Sequence, residues 1–351
     1  MTYKLAIVGY GGMGAYHHTR IKEAVPEIAV VGAFDVREER QEAARAQGLH
    51  AYDSFEALVQ DPQIDIVTVA TPNNYHKQLV IDCLRGGKHV VCEKPVAMNA
   101  AELEEMMAVA KETGKLFSIH QNRRWDKDFV IIKNIIDNKL LGAPYMIESR
   151  VQGSKRVLSG WRGYKMNGGG MVLDWGVHLL DQIMWMIHAP VTEVYAQLFA
   201  TYSTEVDDNC KLILRFADKT SAIIEVATNC FIPQARWHLT CTDGTAVIHD
   251  WSCSGTMMKL SDERDLGWTD EIVYTEAGPT RTMAPRPRET TQELPLPEVV
   301  SDWSDFYKNI AAVIEGKEAL IVKPEEALRV MKVIDLLFES DRLHKSISCN
   351  I

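Results

Sequence analysis

The opening run AIVGYGGMG constrains this chain more than any other stretch. An apolar segment ends directly in closely spaced glycines, and a helix-like pattern follows. Short apolar runs at 4–8, 28–34, 66–70, 89–92 and 116–119 then alternate with helical patterns near 14–24, 37–47, 75–86 and 99–113. Strand–helix alternation of this kind predicts a parallel, doubly wound α/β sheet. Crossovers in such a sheet are right-handed.

The rhythm changes near residue 122. A helix is expected over 126–138, and strands are expected at 145–151, 192–200, 209–216, 221–228, 237–242 and 245–249. Turns such as ADKT and TDGT join several of them, which predicts a large, mostly antiparallel open sheet with one face available to solvent or a partner. Helices are expected at 301–315 and 324–341, the second starting at Pro324. The segment 278–298 carries five prolines and reads as a loop or arm. The expected division is a dinucleotide-binding domain over 1–121 and a substrate-binding and oligomerisation domain over 122–351. The C-terminal helices are expected to pack back on the first domain.

Gly9, Gly11 and Gly14 match GxGxxG between a strand and a helix. Together with Gly12 and Met13 they are the expected pyrophosphate contacts. Asp35 ends the next strand, where a carboxylate accepts hydrogen bonds from ribose hydroxyls and repels a 2′-phosphate. NAD is therefore expected over NADP. Arg37 and Arg40 lie close enough in sequence to soften that preference. Thr71, Pro72, Asn73 and His76 in TPNNYH, and Glu93 and Lys94 in EKP, leave later strands at the same edge and are expected around the cofactor. His76 reads more as a capping or packing residue than a reacting one.

The stretch GGGMVLDWGVHLLD sets Asp174 and His178 four residues apart on one face of an apolar helix, with Asp181 continuing the line. A buried carboxylate or imidazole is costly unless paired or used. Taken in order, GxGxxG, TPxxxH, EKP and GGGxxxDxGxHxxD resemble the Gfo/Idh/MocA family of NAD(P)-dependent oxidoreductases of sugars, inositols and related polyols. That resemblance spans the chain. It implies a cis Lys94–Pro95 bond and Lys94 on the reacting hydroxyl. It also implies His178 or Lys94 as proton acceptor, with Asp174 holding substrate or orienting the imidazole. Arg123 or Arg124 is expected at the substrate, and Trp161, Arg162, Tyr164 and Lys165 are expected as a lid, unless they simply pack.

The net charge of −10 argues against nucleic acid and anionic membranes as partners. The seven scattered cysteines form no CxxC and read as free thiols in a reducing cytoplasm, and no metal site is expected. The expected assembly is a homodimer or homotetramer. The leading reading is a dehydrogenase of a sugar, glycoside or inositol. A second enzyme reading keeps NAD tightly bound and oxidises a glycoside transiently at C3 to release its aglycone. A non-catalytic NAD-binding sensor is the reading from another class.

Overall fold

The computed structural model describes residues 2–261, 272–281 and 288–351. Six parallel strands form the first sheet: β1 (Tyr3–Val8), β2 (Ile28–Phe34), β3 (His50–Ala51), β4 (Ile66–Val69), β5 (His89–Cys92) and β6 (Phe117–Ile119). Their order is β3-β2-β1-β4-β5-β6. The helices between them are α1 (Gly12–Ala24), α2 (Glu38–Ala46), α3 (Phe55–Gln60), α4 (His76–Arg85) and α5 (Ala100–Thr113). Leu5, Ala6, Ile7 and Val8 are buried in succession, as a central parallel strand covered on both faces requires. The order reverses between β1 and β4, so the crevice at their carboxyl ends is where such folds take ligands. β3 and α3 were not expected. Two and six residues are too short for a periodicity, although Ser54 caps α3 by accepting from Ala57 N at 3.1 Å.

The second sheet has nine strands. After α6 (Lys127–Asp137) come β7 (Pro144–Gln152) and α7 (Val177–Met186), then β8 (Val191–Phe199), β9 (Asn209–Phe216), β10 (Ser221–Ala227), β11 (Trp237–Cys241), β12 (Gly244–Ile248) and β13 (Gly255–Leu260). A separate hairpin pairs β14 (Ile272–Thr275) with β15 (Gly278–Arg281). β16 (Thr291–Leu294), α8 (Asp305–Ile314), α9 (Pro324–Leu343) and β17 (Ile347–Ser348) complete the chain. The sheet order is β16-β13-β12-β11-β7-β10-β9-β8-β17, antiparallel except where β10 runs parallel to β7. Alternate residues of β9 and β10 are buried, which leaves Lys211, Ile213, Ile223 and Glu225 on the outer face.

One expectation needs correction. The segment 278–298 is not simply a loop: it contains β15, and β16 extends the second sheet beside β13. Pro279 lies within the isolated hairpin strand β15, and Pro295 and Pro297 follow edge strand β16 rather than interrupt it. Residues 282–287 of that segment lie outside the described residues. Among the described residues no helix is long and apolar enough to cross a membrane, and all seven cysteines are free.

The C-terminal helices tie the two sheets together. Tyr307 of α8 bonds Thr68 of β4 at 3.1 Å, Asp335 of α9 accepts from Ala100 N at 3.0 Å, and Ser118 of β6 donates to the Val322 carbonyl at 2.9 Å. Below them lies a buried ion cluster. Arg124 grips Asp181 of α7 with two bonds of 2.7 Å and Glu326 of α9 with a third of 2.7 Å. Removing the guanidinium would strand Asp181 in the core, a loss of roughly 3–5 kcal/mol. Urea unfolding of Arg124→Met should show that loss, and adding Asp181→Asn should recover part of it. Wild-type stability in the single variant would mean that the cluster contributes nothing.

Candidate active site

The glycine turn is shaped by close approach. At Gly9, with φ +93°, a Cβ would lie 2.6 Å from the Ala70 carbonyl oxygen, and at Gly14 a Cβ would lie 2.1 Å from the Gly9 carbonyl oxygen. Gly14 thus lets α1 start tight against the turn. Gly11 and Gly12 face open space within 4 Å, so the first amides of α1 stay accessible. No side chain caps this N-terminus. A cradle of that form fits a pyrophosphate. Met13 stands half-buried beside it. Asp35 accepts from Tyr10 N at 2.8 Å and Arg37 N at 3.0 Å, which ties the turn to the end of β2. The Arg37 guanidinium turns outward to Glu39 at 3.3 Å.

Other expected cofactor residues are committed elsewhere. Thr71 and Pro72 form the turn after β4. Asn73 is buried and donates to the Gly168 carbonyl at 2.7 Å, joining that turn to the second domain. His76 is fully buried, with its two ring nitrogens 2.9 Å from the carbonyls of Pro95 and Thr71. It braces two turns from behind, so its side chain offers nothing to a cofactor. The Glu93 side chain likewise points inward, to His17 at 2.9 Å and His120 at 2.7 Å.

The Lys94–Pro95 bond is cis. Lys94 Nζ donates to the Asp174 carbonyl at 2.8 Å and to its carboxylate at 3.0 Å, and Arg162 Nε lies 3.1 Å from the same carboxylate oxygen. Burial is the largest influence on Asp174 and pushes its carboxyl up. The Lys94 and Arg162 charges outweigh it and hold the group below its ordinary value.

The glycines ahead of Asp174 serve close packing. A Cβ on Gly169 would fall 2.2 Å from the Arg162 carbonyl oxygen, and one on Gly170 would fall 2.2 Å from Asp207 Oδ1. Asp207 in turn accepts from Val172 N at 2.8 Å and anchors the start of the helical segment.

That segment is not one regular α-helix. Val172–Gly176 is π-helical and α7 follows it. Asp174 faces Lys94, and Asp181 faces Arg124. The expectation that Asp174 might orient the imidazole is therefore corrected: His178 Nδ1 lies 3.0 Å from Gln121 Oε1. With Nδ1 protonated toward that oxygen, Nε2 is left as a free acceptor. Burial first, then the charges of Lys94 and Arg123, holds the imidazole pKa well below its ordinary value. His178 is thus a neutral base at neutral pH.

Of the two candidate arginines, only Arg123 stays near the cleft. It lies 4.0 Å over the Trp175 ring, whose centroid is 6.1 Å from that of His178, and it pairs with Asp126 at 2.8 Å. Arg124 is corrected to a structural role in the buried ion cluster. Arg162 lies over Trp161 at 4.7 Å while reaching Asp174, so the 160–164 loop comes to the site. Tyr164 is exposed at 53%. Gln121, Trp175 and Asp207 had gone unremarked. Gln121 was findable, since it directly follows β6 at the edge that already supplies Lys94.

Known proteins share this fold. A family model described as "Oxidoreductase family, NAD-binding Rossmann fold" matches residues 3–121, and one described as "GFO/IDH/MocA C-terminal domain" matches 129–247. A scyllo-inositol 2-dehydrogenase (NADP(+)) of Bacillus subtilis is 26% identical, over 99% of this chain and 96% of that protein. A myo-inositol 2-dehydrogenase of Thermotoga maritima is 28% identical, over 63% of this chain and 67% of that protein. The crystal structure of an NAD-binding protein from Listeria innocua superposes with a TM-score of 0.92 at 42% identity, covering 99% of both chains. The two family models follow one another along the chain in the order of its two sheets, and the chain belongs to the Gfo/Idh/MocA oxidoreductase family.

Proposed function

We propose that this protein is an NAD-dependent dehydrogenase that oxidises a secondary alcohol of a sugar, glycoside or inositol. The observation that carries this reading is the meeting of Lys94, Asp174 and a neutral His178 where β5 and β6 of the dinucleotide sheet end. The inositol dehydrogenases among the relatives support a polyol substrate.

Oxidation of a carbinol needs a base for the hydroxyl proton and a charge near the oxygen as that proton leaves. His178 Nε2 takes the proton. Gln121 fixes the tautomer and accepts the Nδ1–H bond throughout. Lys94 donates to the hydroxyl oxygen and stabilises developing alkoxide character. Asp174 holds the Lys94 ammonium in place while Arg162 shares its carboxylate. Hydride acceptance is the chemistry that a bound nicotinamide supplies. Arg123, stacked on Trp175, and the 160–164 loop, which reaches Asp174 through Arg162, are the groups placed to contact the substrate ring in this reading.

Asp35 supports NAD. Its carboxylate stands at the end of β2, where it would repel a 2′-phosphate, and the Arg37 guanidinium is turned outward to Glu39. The Bacillus relative, named for NADP(+), shows that the family does not impose one cofactor.

A screen of inositols, hexoses and glycosides with NAD⁺, read at 340 nm, tests the proposal. At least one class should reduce the cofactor, and none doing so would refute the reading. On the substrate so found, Lys94→Met and His178→Asn should each lower kcat about 10²–10⁴-fold with NAD⁺ affinity nearly unchanged. A depressed His178 pKa keeps the base unprotonated as the pH falls, so wild-type kcat/KM should hold its plateau below pH 6.5. An acid limb centred at or above 6.5 would remove His178 from the role. For the cofactor, kcat/KM should favour NAD⁺ over NADP⁺, and Asp35→Ser should narrow the gap. Equal wild-type efficiency with both would contradict the assignment.

A further inference from the structure

Glu93 precedes Lys94 at the end of β5, yet its side chain turns away from the cleft into the core. His17 Nε2 of α1 and His120 Nδ1 at the end of β6 both reach Oε1, at 2.9 and 2.7 Å. If each imidazole donates to the carboxylate, His17 Nδ1 becomes an acceptor. Tyr307 of α8 supplies that donor at 2.9 Å, and Thr68 of β4 donates to the Tyr307 oxygen at 3.1 Å. Every proton along this chain then has an acceptor, and all five side chains are buried.

The charge state follows from the same bookkeeping. Burial pushes the Glu93 carboxyl up, but His120 and His17 together hold it well below the ordinary carboxylate range. The second nitrogen of His120, Nε2, has no partner among the described residues, and Phe306 and Trp303 stand edge-on to the ring. A proton there would be an unpaired buried donor, so burial keeps His120 neutral. In that proton arrangement, with each imidazole carrying one proton, the cluster has one net negative charge.

Two histidines and a glutamate can also hold zinc. Around a tetrahedral zinc, with ligand bonds of roughly 2.0–2.2 Å, neighbouring ligand atoms stand about 3.3 Å apart. Both nitrogens here are closer than that to one shared oxygen, so hydrogen bonding explains the geometry.

A buried carboxylate with no cation in contact is costly, and three apolar side chains would pack the same space at lower cost. His178 and His76 are the other titratable groups toward the site that sense this charge, and Tyr307 and Cys92 sense it within the core. We propose that His17, Glu93 and His120 form a fixed negative platform beneath the Lys94 turn that favours the cationic, oxidised nicotinamide over the neutral, reduced one. Glu93 and its two histidines are positioning residues in this scheme. The inference rests on the dehydrogenase reading above.

Glu93→Gln keeps the size of the side chain and an acceptor for both imidazoles while removing the charge. Direct titration with NAD⁺ and with NADH, followed by protein fluorescence, gives the ratio of the two affinities. In the folded variant NAD⁺ should weaken relative to NADH on the order of tenfold, and Glu93→Asp should keep the wild-type ratio. An unchanged ratio in Glu93→Gln, beside normal wild-type binding, overturns this inference alone. Wild-type protein that binds neither dinucleotide overturns the dehydrogenase reading and this inference with it. If Glu93→Gln does not fold, His120→Leu removes one clamp. Its affinity ratio should then fall more steeply than the wild type's from pH 8 to pH 5, and equal slopes overturn the proposal. One zinc per purified chain, lost in Glu93→Gln, would also overturn it.

Discussion

Lys94 reaches from the end of β5 to both the carbonyl and the carboxylate of Asp174, and this contact joins the dinucleotide sheet to the candidate catalytic segment of the second domain. It is the centre of a seam. Asn73 and Asn74, after β4, hold Gly168 and Asn167, while Gln121 and Arg124, after β6, hold His178 and Asp181. Consecutive strand ends of one sheet thus grip consecutive parts of residues 167–181. The position of each reacting group is set by backbone turns rather than by long flexible loops. A site assembled this way gives up little orientation entropy at the moment of reaction.

The electrostatics of the seam are deliberately unequal. Three cations, Lys94, Arg123 and Arg162, face the cleft, while Asp174 binds two of them. Burial first, then the charges of Lys94 and Arg123, depresses His178, which suits it to the base role proposed above. The excess positive charge would disfavour a cationic nicotinamide. The negative charge proposed for the inward-facing Glu93 does not compete for the Lys94 ammonium, because Oε1 is engaged by His17 and His120 and Oε2 accepts from the Lys94 backbone amide.

Much of this was legible in the chain. Strand ends at Val8, Phe34 and Cys92 follow from apolar runs stopped by glycine, aspartate and EKP, and the dinucleotide turn was read from its glycine spacing. Asp174 and His178 stood out in the sequence because they interrupt an apolar helix. Their partners were not readable, since Val172–Gly176 is π-helical and Asp174 bonds Lys94 while His178 bonds Gln121. Side-chain partners set by tertiary contact were beyond reach. Nothing local distinguishes Arg123 from Arg124, yet one stacks on Trp175 and the other is sealed against Asp181. His17, Glu93 and His120 are spread over more than a hundred residues, and only the parallel order of β5 and β6 beside α1 brings them together. β16 escaped notice because prolines surround it.

The central claim is hydride transfer from a carbinol carbon, with proton loss to His178. Single-turnover mixing of the NAD⁺-loaded protein with substrate deuterated at that carbon tests it most directly. The account predicts one deuterium on the reduced nicotinamide, none from solvent, and a rate that collapses in His178→Ala. Reduced cofactor without the label, or an undiminished rate in that variant, would contradict it.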